Sequence, residues 1–420
     1  MSHCRDGETR RLHRLLDMVR EAYGWGKSDL ARALRRDPSS VYPPTSNAKL
    51  DFVERLARLL EWPIDSVVET IRYGAPGTRP EPEEPLDGAD FETLLNRARE
   101  AYKHGQYELT VKLARQMLKI AKTPTERAYA WDKEGAGWDG LGYYGKSIEA
   151  MRCAVQEAPV PPEVHYVMLT NLASACYLAG DLAPARGISK EVLAWCATRK
   201  GDTNLEVRMA QAFSHYVAGA AALRAVPVVP DEAHDHAERA ATHLRAARRM
   251  LLALSRESDR SYFAGVANTC RAGLIVAEIE LDKRDARAGI EELREGLPVT
   301  LDAEECPPGD WLESYGWWCV FGTEAALRHL RLGEMQRAVA VFTSKLSDIA
   351  ERMNNWAFRE FSLRMKYVAR KKFEEQTGAE LPEFIDAEEL RYVFGAIGRF
   401  PRFRPLGWEI IQTAKVVDHA

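Results

Sequence analysis

Residues 178–193 read LAGDLAPARGISKEVL, and this stretch decides the fold. Gly180 separates two segments whose small and apolar residues recur at helical spacing. The same form, a glycine turn followed by an amphipathic run, returns in KHGQYELTVKLARQML at 103–118 and in GLGYYGKSIEAMRCAV at 140–155. Gly105, Gly142 and Gly180 are 37 and 38 residues apart. A further copy, RLGEMQRAVAVFTSKL at 331–346, places Gly333 in the turn, and DKRDARAGIEELREGL at 282–297 matches around Arg284 without the glycine. Glycine permits the tight turn between two packed helices. Small residues such as Ala173 and Ala185 allow close approach, and Tyr144 and Phe342 fill gaps. A single hairpin cannot bury its own apolar face, so such units must stack.

Working outward, the body from Phe91 has no strand-like alternation of useful length. The unit at Asn204–Ser255 departs most, with the insert AVPVVPDEA between its helices. A helix is expected from Trp356 to about Gln376, and two more at Ala387–Phe394 and Trp408–Val417, joined by RFPRFRP. These read as caps over the last hairpin, because an open end exposes a core face. In Arg399, Phe400, Arg402, Phe403 and Arg404 cations alternate with aromatics; a packed tail is the first reading and a partner contact the second.

Upstream, GAPGTRPEPEEPLDGAD at 74–90 is proline-rich and acidic, the composition of an extended linker. It gives four regions: a head over 1–74, the linker over 75–90, the hairpin body over 91–353 and capping helices over 354–420. The head reads as short helices at Arg10–Ala22, Ser28–Leu34 with Ser28 as N-cap, Leu50–Leu60, and Ile64–Ile71 after Pro63.

The chain has 420 residues and a formal net charge of −4, so it has no general attraction to nucleic acid or anionic membrane. Any such binding must come from a local patch. No run reaches the length of a membrane span, and the start MSHCRDGETRRLHRLL lacks the apolar core of a signal peptide. The seven cysteines are scattered and odd in number, which predicts reduced thiols in a cytoplasmic protein. No HExxH or GxSxG occurs. His236 and His243 could share a helix face, with His234 nearby, but the better account is a solvated helix start. Asp231 and Glu232 read as capping residues there. No cofactor or catalytic residue is expected.

Leu172, Ala173, Gly180 and Ala185, then Gly135, Ser147, Ala154 and Pro159, then Ala326, Gly333, Ala338 and Phe342 match the signature positions of the tetratricopeptide repeat family. Ala98, Gly105 and Tyr107 match more loosely. The resemblance covers about Phe91–Met353, six hairpins, and implies an all-α protein whose body is a right-handed α-solenoid. Its inward positions imply a groove for a peptide or protein ligand. Carried over, these are Arg99, Tyr102 and Lys103; Asp132 and Asp139; Asn171, Ser174 and Tyr177; and Arg271 and Glu278. Asn171 stands out, since an amide can pair with a peptide backbone's donor and acceptor together; a bond to a neighbouring helix is the other reading.

The head, through KSDLARALRR, SSVY and KLDFVERLARLLEWPIDSVVETI, resembles the helix-turn-helix domain of phage-repressor-like regulators over about Leu12–Ile71. The resemblance implies DNA binding by a homodimer. A recognition helix would begin near Pro38, but Pro43 and Pro44 end it after one turn. Ser39, Ser40, Val41 and Tyr42 remain as recognition residues, with Ser39, Ser40 and Tyr42 the candidate base contacts. Lys27, Arg32, Arg35, Arg36 and Lys49 are the candidate phosphate contacts. Residues 1–49 hold ten Lys/Arg against six Asp/Glu, a surplus of four positive charges. Head and body together resemble bacterial peptide-sensing transcriptional regulators, which implies a body that senses a peptide or protein ligand or mediates dimerisation. A protein-interaction scaffold whose head does not read DNA is the rival.

Overall fold

The computed structural model describes residues 2–23, 25–44, 48–60, 62, 64, 67–68, 71, 88–257, 262–298, 310–379, 384–385, 387–400 and 402–416. Among these the fold is all-α apart from one two-residue strand pair. The chain divides into two compact units, residues 88–380 and residues 1–87 together with 381–420.

In the first unit, helices α1 (Ser2–Tyr23), α2 (Lys27–Ala33) and α3 (Leu50–Leu60) enclose a small core of Leu12, Leu16, Leu30, Leu34, Phe52 and Leu56. Ser28 is not the N-cap. The cap is Gly26, whose N–H donates to the Asp29 carboxylate at 3.1 Å, and the helix begins one residue before Ser28. Arg35, in the left-handed region at φ 51°, ends α2. Residues 38–42 and 44 form turns and bends, not a recognition helix. Of the expected helix at 64–71, residues 64, 67, 68 and 71 are helical and the others lie outside the described residues, as does the linker up to residue 87.

The body begins with α4 (Phe91–Lys103), α5 (Tyr107–Ile120), α6 (Pro124–Gly140), α7 (Tyr144–Gln156), α8 (Pro162–Ala179), α9 (Leu182–Ala197) and α10 (Leu205–Ala225). It continues through α11 (Ala233–Glu257), α12 (Tyr262–Glu280), α13 (Ala286–Glu295), α14 (Asp310–His329), α15 (Leu332–Arg352) and α16 (Trp356–Thr377). The starts follow from capping chemistry. Asp90, Thr123, Asn204, Asp285 and Asn355 each accept a backbone N–H of the turn they open, and Pro124 sits at the first position of α6. Gly105, Gly142 and Gly180 take φ of 72°, 75° and 81°, as the hairpin reading requires. Gly333 does not. It is the second residue of α15, and the turn before it is made by Leu330 and Arg331. Where the unit at Arg284 lacks glycine, Asp282 takes φ 53° instead.

Each helix of the body packs on its neighbour, and α4, α6, α8, α10, α12, α14 and α16 also touch in sequence, forming one continuous row. A methyl group placed at Gly105 would lie 3.7 Å from the Met353 carbonyl oxygen, so the first turn borders the end of α15. The irregular fourth unit is built from helices of 21 and 25 residues joined through a short 3-10 turn at Pro230–Glu232. The main core spans α10 to α16 and includes Trp318, Phe321 and Phe342.

Of the expected cap, α16 packs on α14 and α15. Residues 381–420 belong instead to the other unit. There α17 (Ala387–Arg399) packs on α18 (Arg404–Thr413), and β1 (Phe384–Ile385) pairs in parallel with β2 (Lys415–Val416). The helix expected to run to Val417 therefore stops at Thr413, and the chain turns extended. Phe400 and Phe403 are buried and Arg404 donates to the Ile397 carbonyl, so this segment is a packed tail.

Candidate functional site

Three groups of side chains were candidates from sequence, and the structure treats them differently. In the head, Lys27, Arg32, Arg35, Ser39, Ser40 and Lys49 are exposed. Arg36 is half-buried with its guanidinium 5.0 Å from the centre of the Phe52 ring. Ser39 and Ser40 bond back to Asp37. Tyr42 faces inward: its hydroxyl donates to Asp17 at 2.5 Å and accepts from Arg20 at 3.1 Å. Burial first, and then Asp17, push that phenol up from its ordinary value. Val41 is fully buried. The segment that should read bases is used to hold the head together.

In the body, Arg99, Tyr102 and Lys103 are taken up locally: Arg99 donates to Asn96, Tyr102 lies edge-on to Tyr107, and Lys103 pairs with Glu100. Arg271 and Glu278 join an ion-pair network with Glu292 and Arg284. Ser174 is half-buried on α8. Asn171 donates to Asp132 at 2.6 Å across the α6–α8 contact, so its amide is a structural tie. Asp132 is buried and its second oxygen meets Lys133 at 2.9 Å. Asn171→Ala leaves this carboxylate short of a partner and is expected to lower stability by about 1.5–3 kcal/mol. Urea unfolding checks it; an unchanged midpoint would sink the structural role.

Asp139 and Tyr177 stand among further buried and half-buried polar and aromatic residues. Tyr177 is 1% exposed, and Arg224 acts on its phenol against the rise that burial causes. Asp139 Oδ1 is buried without a hydrogen-bond partner. Around them stand Tyr144 of α7, Tyr216 and Arg224 of α10, Glu313 and Trp317 of α14, and Glu360 of α16, all half-buried. Trp317 lies 6.0 Å from the Tyr177 ring, which joins α8 to α14 across 140 residues of sequence. Arg224 donates to the Tyr177 carbonyl at 3.0 Å and sits 5.3 Å from its ring centre. These half-buried residues, with Asp139 and Tyr177, come from six helices of the body.

Acidic groups and the cation Arg224 act on these residues, and Arg224 opposes the rise of Tyr144, Tyr177, Tyr216 and Glu360. Burial, reinforced by Glu313, pushes the Asp139 carboxyl up to about 8. Burial also raises Tyr144 and Tyr216, with Glu313 acting on both, and raises Tyr177 to about 12. Glu360 is raised by burial and partly restored by Arg364 at 2.9 Å. No protein-family model and no curated protein matches this chain. The chemistry of the site therefore stands on its geometry.

Two further motifs resolve as structure. Residues 140–147, GLGYYGKS, have the spacing of a phosphate-binding loop. Such a loop follows a strand and keeps its amides free for phosphate. Here it follows a helix, and the N–H groups of Leu141, Gly142 and Tyr143 bond to Gly137, Asp139 and Trp138. Lys146 Nζ lies 4.6 Å from the centre of the Trp138 ring, and Ser147 is fully buried. His236 and His243 do not share a site. His236 is buried beside Glu232 at 3.5 Å, whereas His243 Nδ1 lies 2.9 Å from His215 Nδ1 on α10. Burial, then His243 and Arg249, lower His215 to about 4. Asp231 and Glu232 are exposed in the 3-10 turn that precedes α11. Among the described residues no group of three or more His, Cys, Asp or Glu could hold a metal. No helix there is long and apolar enough to cross a membrane. Cys153, Cys176, Cys196, Cys270 and Cys319 are free thiols, each raised by burial. Cys306 and the Cys4 side chain lie outside the described residues.

Proposed function

We propose that this chain is a ligand-sensing transcriptional regulator: a tetratricopeptide-type helical solenoid binds a ligand in its interior, and a helix-turn-helix head contacts DNA. One observation carries the sensing half. Within the body, Asp139 Oδ1 on α6 is buried without a hydrogen-bond partner. An unsatisfied buried polar group costs about 1–3 kcal/mol, a deficit that a bound ligand's hydrogen bonds would remove. The exposed cations Lys27, Arg32, Arg35 and Lys49 support the DNA half.

Binding to duplex DNA is expected to be strongly salt-dependent. With four phosphates engaged, the slope of log K against log salt is about −3.6, which weakens binding roughly 100-fold between 50 and 200 mM salt. Fluorescence anisotropy with the full chain measures it. Lys27→Ala and Arg32→Ala should each flatten the slope by about one. Absence of binding, or a slope near zero, rules the head out as a DNA module.

A scaffold function is favoured by one specific observation, the use of Val41 and Tyr42 for packing where a recognition helix would project. That reading predicts equal affinity for every duplex tested, whereas enrichment of a particular sequence supports the regulator.

A further inference from the structure

We propose that the exposed face of α11 is a second DNA contact, a line of arginines that binds the phosphate backbone. This contact belongs to the body and does not depend on the head. From Arg239 to Arg256 the helix holds five arginines and no aspartate or glutamate, in a chain whose net charge is −4. Between Glu238 and Glu257 the fully exposed side chains are Arg239, Thr242, Arg245, Arg248, Arg249 and Arg256. A helix turns by about 100° per residue, which places Thr242, Arg245, Arg249 and Arg256 within an arc of about 60°. Arg245 and Arg256 are about 16 Å apart along the axis.

The protein does little to neutralise this line. Among the described residues Arg248, Arg249 and Arg256 form no ion pair. Arg245 comes only to 4.0 Å from Glu278, which pairs more closely with Arg284 at 2.8 Å. Glu257, at the end of the line, is held by Arg208 at 2.9 Å. The composition also selects the partner. Every cation of the line is arginine, whose fork can meet two oxygens of one phosphate. A protein interface draws its affinity from buried aromatic and apolar anchors, and this face has no fully exposed apolar side chain. A lipid surface would need the helix's apolar side, but Ala240, Leu244, Ala247 and Leu251 are buried in the body. Cations without anchors fit a partner whose charge is regular and external, as in a phosphate backbone. Such a contact adds affinity without reading bases.

The test is fluorescence anisotropy of the full chain on a duplex of about 30 base pairs, across roughly 50–200 mM salt. Three phosphate contacts steepen the dependence of log K on log salt by about 2.7. Arg245→Gln, Arg249→Gln and Arg256→Gln together should therefore flatten the slope by about that amount and weaken binding at least tenfold at about 100 mM salt. Arg245→Lys, Arg249→Lys and Arg256→Lys together keep the charge and should restore the slope to within about one of the wild type. Lys119→Gln, Lys190→Gln and Lys200→Gln, exposed elsewhere on the body, remove the same charge and should move the slope by less than about one. An unchanged slope in the glutamine triple of α11 overturns the proposal and leaves the head reading untouched. Equal losses in the two glutamine triples also overturn it, because net charge alone would then explain binding. A flattened slope in the α11 triple beside an unchanged one in Lys27→Ala and Arg32→Ala supports the proposal and sinks the head reading instead. Poly-glutamate bound more tightly than the duplex, and weakened tenfold by the α11 triple, would assign this face to an acidic protein and overturn the DNA contact.

Discussion

Phe342→Ala is expected to lower folding stability by about 3–5 kcal/mol. Phe342 is fully buried in the core that joins α10 to α16, and it sits on the side of α15 that meets α14. Its neighbour across that contact is Gly322. A methyl group placed there would lie 2.6 Å from Phe342 Cε1, too close for any real side chain. The pair is therefore complementary, a large ring against a position with no side chain. Removing the ring forfeits its burial and leaves a cavity that rigid helices cannot collapse into. Gly322→Ala in the wild type should be destabilising by about 1–3 kcal/mol through overpacking. In the Phe342→Ala background the same methyl enters empty space, so the double mutant should be more stable than the sum of the singles implies. Urea unfolding of the four proteins gives the cycle. A loss below 1 kcal/mol for Phe342→Ala, or strict additivity, would mean that the α14–α15 contact is not packed this way.

Phe342 also shows what was legible in the sequence. The hairpin pattern names it as a gap-filler, and it is one. Local chemistry of this kind reads well: turn glycines at 105, 142 and 180, and the small residues Ala173 and Ala185, both fully buried. Gly333 misled because a glycine in the right phase need not occupy the turn. Of the two readings of Asn171, the bond to a neighbouring helix is the one the structure contains, with Asp132 as its partner. The surroundings of Asp139 and Tyr177 were only half legible. These two follow from repeat positions, but Glu313, Trp317 and Glu360 come from helices more than 130 residues further along the chain. Nothing in the spacing of a single unit encodes how far the row of helices curls before its ends approach. The head fails for the opposite reason. Its helices were read from a resemblance, while the prolines at 43 and 44 and the inward, half-buried Tyr42 hydroxyl make the segment expected to contact bases a structural turn.

Asp139→Asn is expected to stabilise the fold, and increasingly so as pH rises. The carboxyl titrates near its ordinary 3.8 in the unfolded chain and near 8 in the folded one, because burial and Glu313 oppose its charge. Below pH 4 both states hold the proton and Asp139 contributes no penalty. Between pH 4 and 8 the unfolded chain ionises while the folded one does not, and stability falls by up to about 1.4 kcal/mol per pH unit. Above pH 8 both states are ionised and the penalty is constant, several kcal/mol and at most about 6. Asparagine keeps the shape and removes the charge, so the mutant's advantage should be small at pH 4 and several kcal/mol at pH 8. Urea unfolding of both proteins at pH 4, 6 and 8 isolates Asp139 together with its coupling to Glu313, since carboxylates remote from it cancel in the difference. A difference that does not change with pH would show that Asp139 is ionised and accommodated in the fold.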